Sequence, residues 1–258
     1  MFDLTTCRAA VDRDLGAILD RLGGLDEADW TLPVRCAGWT VADLAGHMVA
    51  ASSGQAEGLR KAVEGSVEPT SLPARAVGDG TELVAGLARG RDGLLAALDS
   101  LIPDVLEGLV PLPFGLVPVP VAVQIVALEY GFHRNDLEWA LGGAGPLEPD
   151  IAGTLLEVSP GLLPMFAGGS QVAAAGDAPG TEVGYNLRAG DFACTILHRD
   201  GAWQVVDDPG AATCDVLADS ASALALFIMG RIGTDHPTLK ITGDQAAAAD
   251  FKRYFPGP

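Results

Sequence analysis

The first half of the chain repeats apolar residues at the spacing of α-helices. Leucine, isoleucine and valine recur every three or four positions, and most charged residues fall between them. The pattern predicts four helices, at about 4–22, 41–53, 83–98 and 121–141. Long connections separate them, including a loop-like stretch at 65–80 with two prolines and several small residues. Four helices joined in this way are typical of a four-helix bundle.

Residues that start and stop helices support these boundaries. One glycine pair follows the first predicted helix, at 23–24, and another follows the fourth, at 142–143, where glycine commonly ends a helix. Thr40 precedes the second helix and Asp43 comes three residues later. This is the spacing of a capping box, with aspartate in place of the usual glutamate.

Alternation of apolar and polar positions replaces the helical pattern in the second half. The predicted strands are 182–188, 192–197, 203–206, 213–217 and 239–242. The predicted helices are 151–166, a segment that Asp219 caps and that runs through Met229, and 245–254. An Asp200-Gly201 pair lies between two strands and predicts a hairpin turn. The second half is therefore expected to be an α+β domain.

A stretch rich in glycine and proline, at 142–149, separates the two patterns and marks a domain boundary. We expect a helical domain at 1–146 and an α+β domain at 147–258. Between Glu107 and Glu129 the chain has no charged residue, but four prolines interrupt the first half of that stretch. A continuous membrane-spanning helix is therefore excluded, and a buried connection that feeds the fourth helix is predicted.

The charge of the chain limits its partners. It carries 34 acidic and 16 basic residues, a formal net charge of −18. This charge repels phosphate backbones and anionic lipid headgroups, so neither nucleic acid nor a membrane surface is expected as a partner. The four cysteines form no CxxC pair, and no signal peptide is apparent, so reduced thiols and a cytoplasmic location are expected.

Three residues of the helical half could form a metal site. Glu129 and His133 are four residues apart and therefore project from one face of the fourth predicted helix. His47 borders the apolar stripe of the second helix. If the two faces meet inside a bundle, two imidazoles and one carboxylate could hold a divalent ion and leave coordination positions open. A solvent-exposed Glu–His pair is the alternative reading of the same spacing.

Two strings of the sequence resemble a known family. WTLPVRCAGWTVADLAGH at 30–47 is similar to the first motif of the N-terminal domain of mycothiol-dependent maleylpyruvate isomerases, which is a DinB-like four-helix bundle. EYGFHRND at 129–136 resembles the second motif, Glu-x-x-x-His-x-x-Asp. The C-terminal half, with MGR at 229–231 and TGD at 242–244, resembles the second domain of that family, which is similar to sterol carrier proteins.

The resemblance assigns roles to residues of this chain. It implies that His47, Glu129 and His133 bind zinc or a similar divalent metal, although the same ligands accept nickel or iron. Asp136 would support the site from behind the ligands or cap the bundle; an exposed aspartate on a helix is the alternative. Arg231 would act in catalysis or hold an anionic group; a structural arginine at a helix end is the alternative.

The resemblance also implies an activity. It predicts a cytoplasmic enzyme that activates an external thiol, mycothiol, and uses it as an isomerase or as an S-transferase on a small electrophile. Mycothiol belongs to actinobacteria, and the scarcity of lysine beside abundant alanine and glycine agrees with a GC-rich genome. A non-catalytic two-domain protein that binds a small molecule or a lipid is the alternative. The sequence leaves the substrate and the oligomeric state open.

Several other residues carry expectations that the structure can test. Cys36 is expected to be a buried small side chain and not a nucleophile, and Trp39 a core residue. His198 is expected to be exposed at a hairpin tip, and His236 to lie in a loop. Arg134 and Arg188 are further candidate anchors for a dicarboxylate, with a surface position as the alternative for each.

Overall fold

The fold is known from a computed structural model. The chain divides into two compact units, Met1–Gly145 and Pro146–Pro258. The structure describes residues 2–71, 74–113, 115–143, 145–167, 179 and 182–255.

The first unit is a bundle of α-helices. Its described residues contain four of them, which are α1 (Leu4–Leu22), α2 (Val41–Val63), α3 (Gly80–Asp99) and α4 (Val119–Ala140). Helix α2 packs along α3, and α1 packs along α4 and α3. The apolar stripes of the four helices meet in a core whose large members include Leu15, Ile18, Leu44, Met48, Leu87 and Leu94. The predicted four-helix bundle is confirmed.

Polar side chains fix where two of these helices begin. The capping box predicted for α2 is present, because Thr40 Oγ1 accepts from Asp43 N at 3.2 Å and Asp43 Oδ2 accepts from Thr40 N at 2.9 Å. A second capping box, formed by Asp79 and Glu82, starts α3. These caps satisfy backbone N–H groups that a helix start leaves without intrahelical partners.

Helix α2 is longer than its pattern predicted. It runs to Val63 and not to residue 53. The glycines at 54 and 58 weaken the helical signal of its second half. Tertiary packing overrides that weakness. Ala56 and Leu59 are buried, and Gly58 packs closely against Val110 and Leu112, which lie beyond α3 in the chain.

The proline-rich stretch forms a small hairpin that the sequence reading missed. Strands β1 (Leu109–Leu112) and β2 (Gly115–Pro118) pair antiparallel, and β2 leads directly into α4. The predicted connection therefore exists, but it is made of two short strands, where prolines are tolerated because each strand has an unpaired edge. No helix of the described ranges is both long and apolar enough to cross a lipid bilayer.

The second unit combines a mixed sheet with helices. Its described strands are β3 (Val183–Ala189), β4 (Phe192–Arg199), β5 (Ala202–Val206), β6 (Cys214–Ala218) and β7 (Leu239–Gly243). Its described helices are α5 (Pro149–Ala167), α6 (Ala221–Ile228) and α7 (Gln245–Tyr254). The strand order is β5-β4-β3-β6-β7, and all neighbours are antiparallel except β3 and β6. The predicted α+β architecture is confirmed.

Local chemistry explains most details of this unit and corrects one. Asp200 and Gly201 adopt positive φ angles of 54° and 77°, as a tight hairpin turn requires. Ser220, and not Asp219, caps α6, because its Oγ accepts from Ala223 N at 3.2 Å. Asp219 instead accepts a hydrogen bond from the Ser220 hydroxyl at 2.9 Å and so orients the cap.

Candidate metal centre

His47, Glu129 and His133 meet inside the first unit. His47 extends from α2, and the other two extend from successive turns of α4. Glu129 Oε1 lies 2.6 Å from His47 Nε2 and 3.4 Å from His133 Nε2. One potential ligand atom from each residue lies within 4.8 Å of the other two. The packing of α2 on α4 therefore brings together the three residues that the sequence singled out.

The three side chains differ in how much of their surface is open to solvent. The exposed fraction is 31% for His47, 18% for Glu129 and 9% for His133. Within this unit the cluster thus opens on the His47 side and is closed behind His133. The Glu129–His133 pair is not the exposed surface pair that was the alternative reading of its spacing.

The surroundings of the cluster favour positive charge between its members. Burial raises the pKa of the Glu129 carboxyl, but attraction to His133 and hydrogen bonds with both imidazoles reverse this effect and hold that pKa well below its usual value. Burial lowers the pKa of His133, but attraction to Glu129 and the hydrogen bond to Asp136 outweigh it, and that pKa lies well above its usual value. A divalent cation would supply positive charge at the same place.

Asp136 holds His133 from behind. Its carboxylate is fully buried, and Oδ2 lies 3.2 Å from His133 Nδ1. With a metal ion in the cluster in place of the Nε2 proton, an N–H on Nδ1 would donate to this oxygen and the Nε2 lone pair would be directed to the ion. Arg35 approaches Oδ1 with its Nε at 3.3 Å and also donates to Asn135, so the loop before α2 is tied to α4 at this point.

Cys36 belongs to a second possible ligand group with His133 and Asp136. Its Sγ lies 3.6 Å from Asp136 Oδ2, and its side chain is only half-buried, so the expected full burial is wrong. The Arg35 guanidinium beside Asp136 opposes a second cation at this place. The first group is therefore the better cation site.

The donors of the first group suit a divalent transition metal. Two imidazole nitrogens and one carboxylate oxygen are the ligand types that zinc accepts, and a set of three protein ligands is typical of catalytic zinc sites. The supporting carboxylate behind His133 is the partner that metal-bound histidines usually have. The residues present therefore fit such an ion.

Trp39 stands beside the open side of the cluster. Its ring centroid lies 4.9 Å from that of His47, and the ring is half-buried, so it contacts the site instead of filling the core as expected. Arg75 lies over the Trp39 ring, with its guanidinium carbon 5.5 Å from the ring centroid. The sequence reading missed Arg75 because it lies in the loop-like stretch at 65–80, where no periodic pattern signals a neighbour.

The remaining predicted site residue, Arg231, lies in the second unit. It follows α6, and its Nη1 donates to the carbonyl of Met229 at 2.8 Å. The ammonium of Lys252 donates to the carbonyl of Ile228 at 3.0 Å, and its aliphatic part packs over Gly230. Both cations are placed at the carbonyl end of α6, which agrees with a structural role. A catalytic role for Arg231 stays a prediction.

The Lys252 ammonium provides a test by pH. Burial and, to a smaller degree, the charge of Arg231 lower the pKa of Lys252 from 10.5 to about 8. Between those pH values the unfolded chain binds more protons than the folded chain, so the free energy of unfolding rises with pH. Against Lys252→Met, which keeps the packing, the wild type should gain about 1–2 kcal/mol between pH 8 and pH 10.5 in chemical denaturation. Parallel pH profiles of the two proteins would contradict this placement.

Other residues are placed where they cannot join the candidate centre. Arg134 pairs with Asp14 at 3.0 Å and with Glu138 at 2.9 Å, so it links α4 to α1. His198 is 8% exposed and packs against the Trp203 ring, so its predicted exposure is wrong. Residues 194–198 of β4 are all buried, so both faces of the strand are covered where His198 lies. His236 lies in a loop, as expected, and its Nδ1 is 2.7 Å from Thr238 Oγ1.

The fold and the cluster define a class. The chain has a four-helix bundle followed by an α+β unit. Between two helices of the bundle, two histidines and one glutamate form a cluster that could hold a metal ion. Residues 11–138 match the family model described as the mycothiol maleylpyruvate isomerase N-terminal domain, and this part of the chain belongs to that family. The resemblance noted in the two sequence strings is confirmed.

Solved structures of similar fold extend over both units. A crystal structure of a mycothiol-dependent maleylpyruvate isomerase superposes with a TM-score of 0.66 at 17% identity, and the match covers 94% of each chain. A histidine-to-alanine mutant of a protein of that description gives a TM-score of 0.67 at 15% identity, again over 94% of each chain. At these identities the likeness establishes the fold. No curated protein sequence matches the chain significantly.

Proposed function

We propose that this protein is a metal-dependent isomerase that uses an external low-molecular-weight thiol, mycothiol, on a small electrophilic alkene. The observation that carries the proposal is the convergence of His47, Glu129 and His133 between α2 and α4, with His47 the most exposed of the three. Membership of residues 11–138 in the isomerase N-terminal domain family supports the thiol and the reaction type.

His47, Glu129 and His133 would hold the divalent ion, with zinc as the first choice. When bound, such an ion would lower the pKa of a neighbouring thiol so that thiolate, the reactive form, is available near neutral pH. Glu129 contributes negative charge between the two imidazoles. Asp136 keeps the Nδ1 proton of His133 and thereby holds the ring so that Nε2 points to the other ligands.

The thiol has to come from outside the chain. Burial raises the pKa of Cys194 and of Cys214 to about 11, and Cys7 is buried in the bundle. The Cys36 thiol is engaged with the carboxylate of Asp136, with 3.6 Å between Sγ and Oδ2. Cys194 and Cys214 are therefore poor nucleophiles at neutral pH.

The chemistry of a thiolate allows two outcomes. Addition to an activated cis double bond gives a carbanion next to the activating group, rotation follows about the new single bond, and loss of the thiolate gives the trans alkene. If the carbanion takes up a proton before the thiolate leaves, or if the thiolate displaces a leaving group, a stable thioether remains, which would be S-transfer. We favour isomerisation because the family and the structural relatives are isomerases.

The test is a single incubation with three readouts. Zinc-loaded protein is mixed with mycothiol and maleylpyruvate, and the alkene geometry, the thiol concentration and the thioether are followed by NMR and mass spectrometry. Many turnovers to the trans isomer at constant thiol concentration would support the proposal. Consumption of thiol with formation of a thioether would support the transferase instead. Metal-loaded protein that does neither would favour a binding module for a small molecule or a lipid.

The proposal also assigns the parts of the chain. Residues 1–146 would be the DinB-like metal-binding domain, and 147–258 a sterol-carrier-like domain that contributes to substrate choice. Arg231 would then be tested as a residue that holds an anionic group. A reducing compartment such as the cytoplasm is the expected location, because mycothiol must be available in its thiol form.

A further inference from the structure

A loop segment that carries Arg75 packs against α2 beside the candidate metal centre. The segment 74–79 crosses α2 at Gly46, where Ala76 N donates to the Gly46 carbonyl at 3.0 Å. A β-carbon at Gly46 would lie 2.2 Å from the Ala76 oxygen, so only glycine permits this approach. The crossing point is the residue before His47. The segment is therefore fixed directly beside the most exposed ligand of the cluster.

Arg75 is held in this wall by two contacts. Its Nη1 lies 3.0 Å from Asp43 Oδ1, and its guanidinium carbon lies 5.5 Å from the centroid of the Trp39 ring. Asp43 and His47 are one helical turn apart on α2, so they share a face. The Trp39 ring also contacts His47, with 4.9 Å between ring centroids. Asp43 and Trp39 therefore hold the guanidinium near the most exposed residue of the cluster.

Arg75 keeps the capacity to bind an anion. Its side chain is 43% exposed, and among the described residues Asp43 is its one ionic partner. That carboxylate is itself shared, because Oδ2 already accepts from Thr40 at the helix cap. A guanidinium has five N–H donors, and a carboxylate can take two of them side by side.

We propose that Arg75, supported by Trp39, is a specificity-determining residue that binds a carboxylate of the substrate at the entrance of the site. The inference rests on the proposed function and deepens it, since it assigns an anionic electrophile to the same site. Arg134, an earlier candidate anchor, is already committed to Asp14 and Glu138. Arg75 thus provides within the first unit the cationic anchor that a carboxylate substrate requires.

The test measures binding of maleate and of its neutral dimethyl ester to the zinc-loaded, full-length protein by calorimetry. A charge-assisted hydrogen bond pair predicts that Arg75→Gln weakens maleate binding at least about tenfold. The ester, which lacks the charge, should bind the wild type and the variant equally. Mycothiol should also bind both equally, which separates the substrate from the thiol as the source of the anionic group.

Two further variants control for folding and for charge. Arg75→Lys keeps a cation beside Asp43 but loses the paired donors, so maleate binding should fall less than in Arg75→Gln. Arg60→Gln removes the same charge from an exposed position of α2 that lies about 20 Å along the helix from His47. This variant should bind maleate like the wild type. If Arg75→Gln does not fold, the comparison of Arg75→Lys with the wild type still measures what the paired N–H donors of the guanidinium contribute to maleate binding.

Several results would overturn the inference. They are unchanged maleate affinity in folded Arg75→Gln, equal weakening of maleate and ester, or no binding of maleate by the wild type. The proposed function is judged separately by thiol-dependent turnover. If the protein binds maleate through Arg75 but isomerises nothing, this inference stands and the proposed function is refuted. If the enzyme is active but Arg75→Gln does not change maleate binding, the proposed function stands and this inference is refuted.

Discussion

Replacing His47 by alanine is expected to abolish stoichiometric zinc binding. Two of the three ligand residues come from one helix, and His47 is the contribution of α2. Since changes in groups behind a metal ligand already lower affinity ten- to a hundredfold, loss of a ligand itself should lower it at least about a hundredfold. Zinc is measured by mass spectrometry after dialysis, and thiol-dependent isomerisation should fall by at least the same factor.

The chain offers a matched control for this experiment. His236→Ala removes a histidine from a loop of the second unit, where its ring contacts Thr238. This variant should keep one zinc per chain and full activity, which excludes a general effect of removing an imidazole. Wild-type zinc content and affinity in folded His47→Ala would contradict the proposed centre.

Replacing Gly46 by alanine is expected to cost about 2 kcal/mol of the free energy of unfolding of the first unit. Alanine is normally favoured over glycine within a helix by about 1 kcal/mol. At this position the added methyl group would lie 2.2 Å from the Ala76 carbonyl oxygen, and the crossing segment must move away. Overpacking against backbone exceeds the gain in helix propensity. Three of the four tryptophans lie in this unit, so denaturation followed by fluorescence reports on it.

The same substitution in an open position should have the opposite sign. Gly16 lies within α1, and a β-carbon there would meet no heavy atom within 4 Å. Gly16→Ala should therefore raise stability by about 0.5–1 kcal/mol. If Gly46→Ala is as stable as Gly16→Ala, the close approach of segment 74–79 to α2 is not as described. Gly46→Ala should also weaken maleate binding, because Arg75 would leave the Trp39 ring.

Periodicity predicted the helices well because their packing is simple. The stripes of α1 and α3 each face one core, and α4 is buried on nearly all sides, so local sequence and tertiary structure agree. The second half of α2 was missed because two glycines interrupt its pattern, and its helix is maintained by neighbours that no local signal reveals. The hairpin of β1 and β2 was missed because prolines argue against a strand in a sequence pattern. Where the prolines can be tolerated depends on the pairing register of the two strands, which the sequence does not reveal.

The candidate site divides in the same way. Glu129 and His133 could be paired from their spacing alone, because a helix fixes which residues share a face. The addition of His47 needed a bundle, and the motif resemblance supplied the reason to choose it. Arg75 and Arg35 could not be found, since each reaches the site from a loop whose course depends on a close backbone approach or on an ion pair with a distant helix.

The origin of the ligands on two helices has a consequence for ion selectivity. The spacing of Glu129 and His133 is set by one turn of α4 and can change little, whereas the distance from either to His47 depends on how α2 crosses α4. The Tyr130 hydroxyl donates to Gln55 Oε1 at 2.8 Å and pins this crossing two turns of α2 beyond His47. We expect substitutions at that hydrogen bond to shift the preference among ions of different radius while leaving every coordinating atom unchanged.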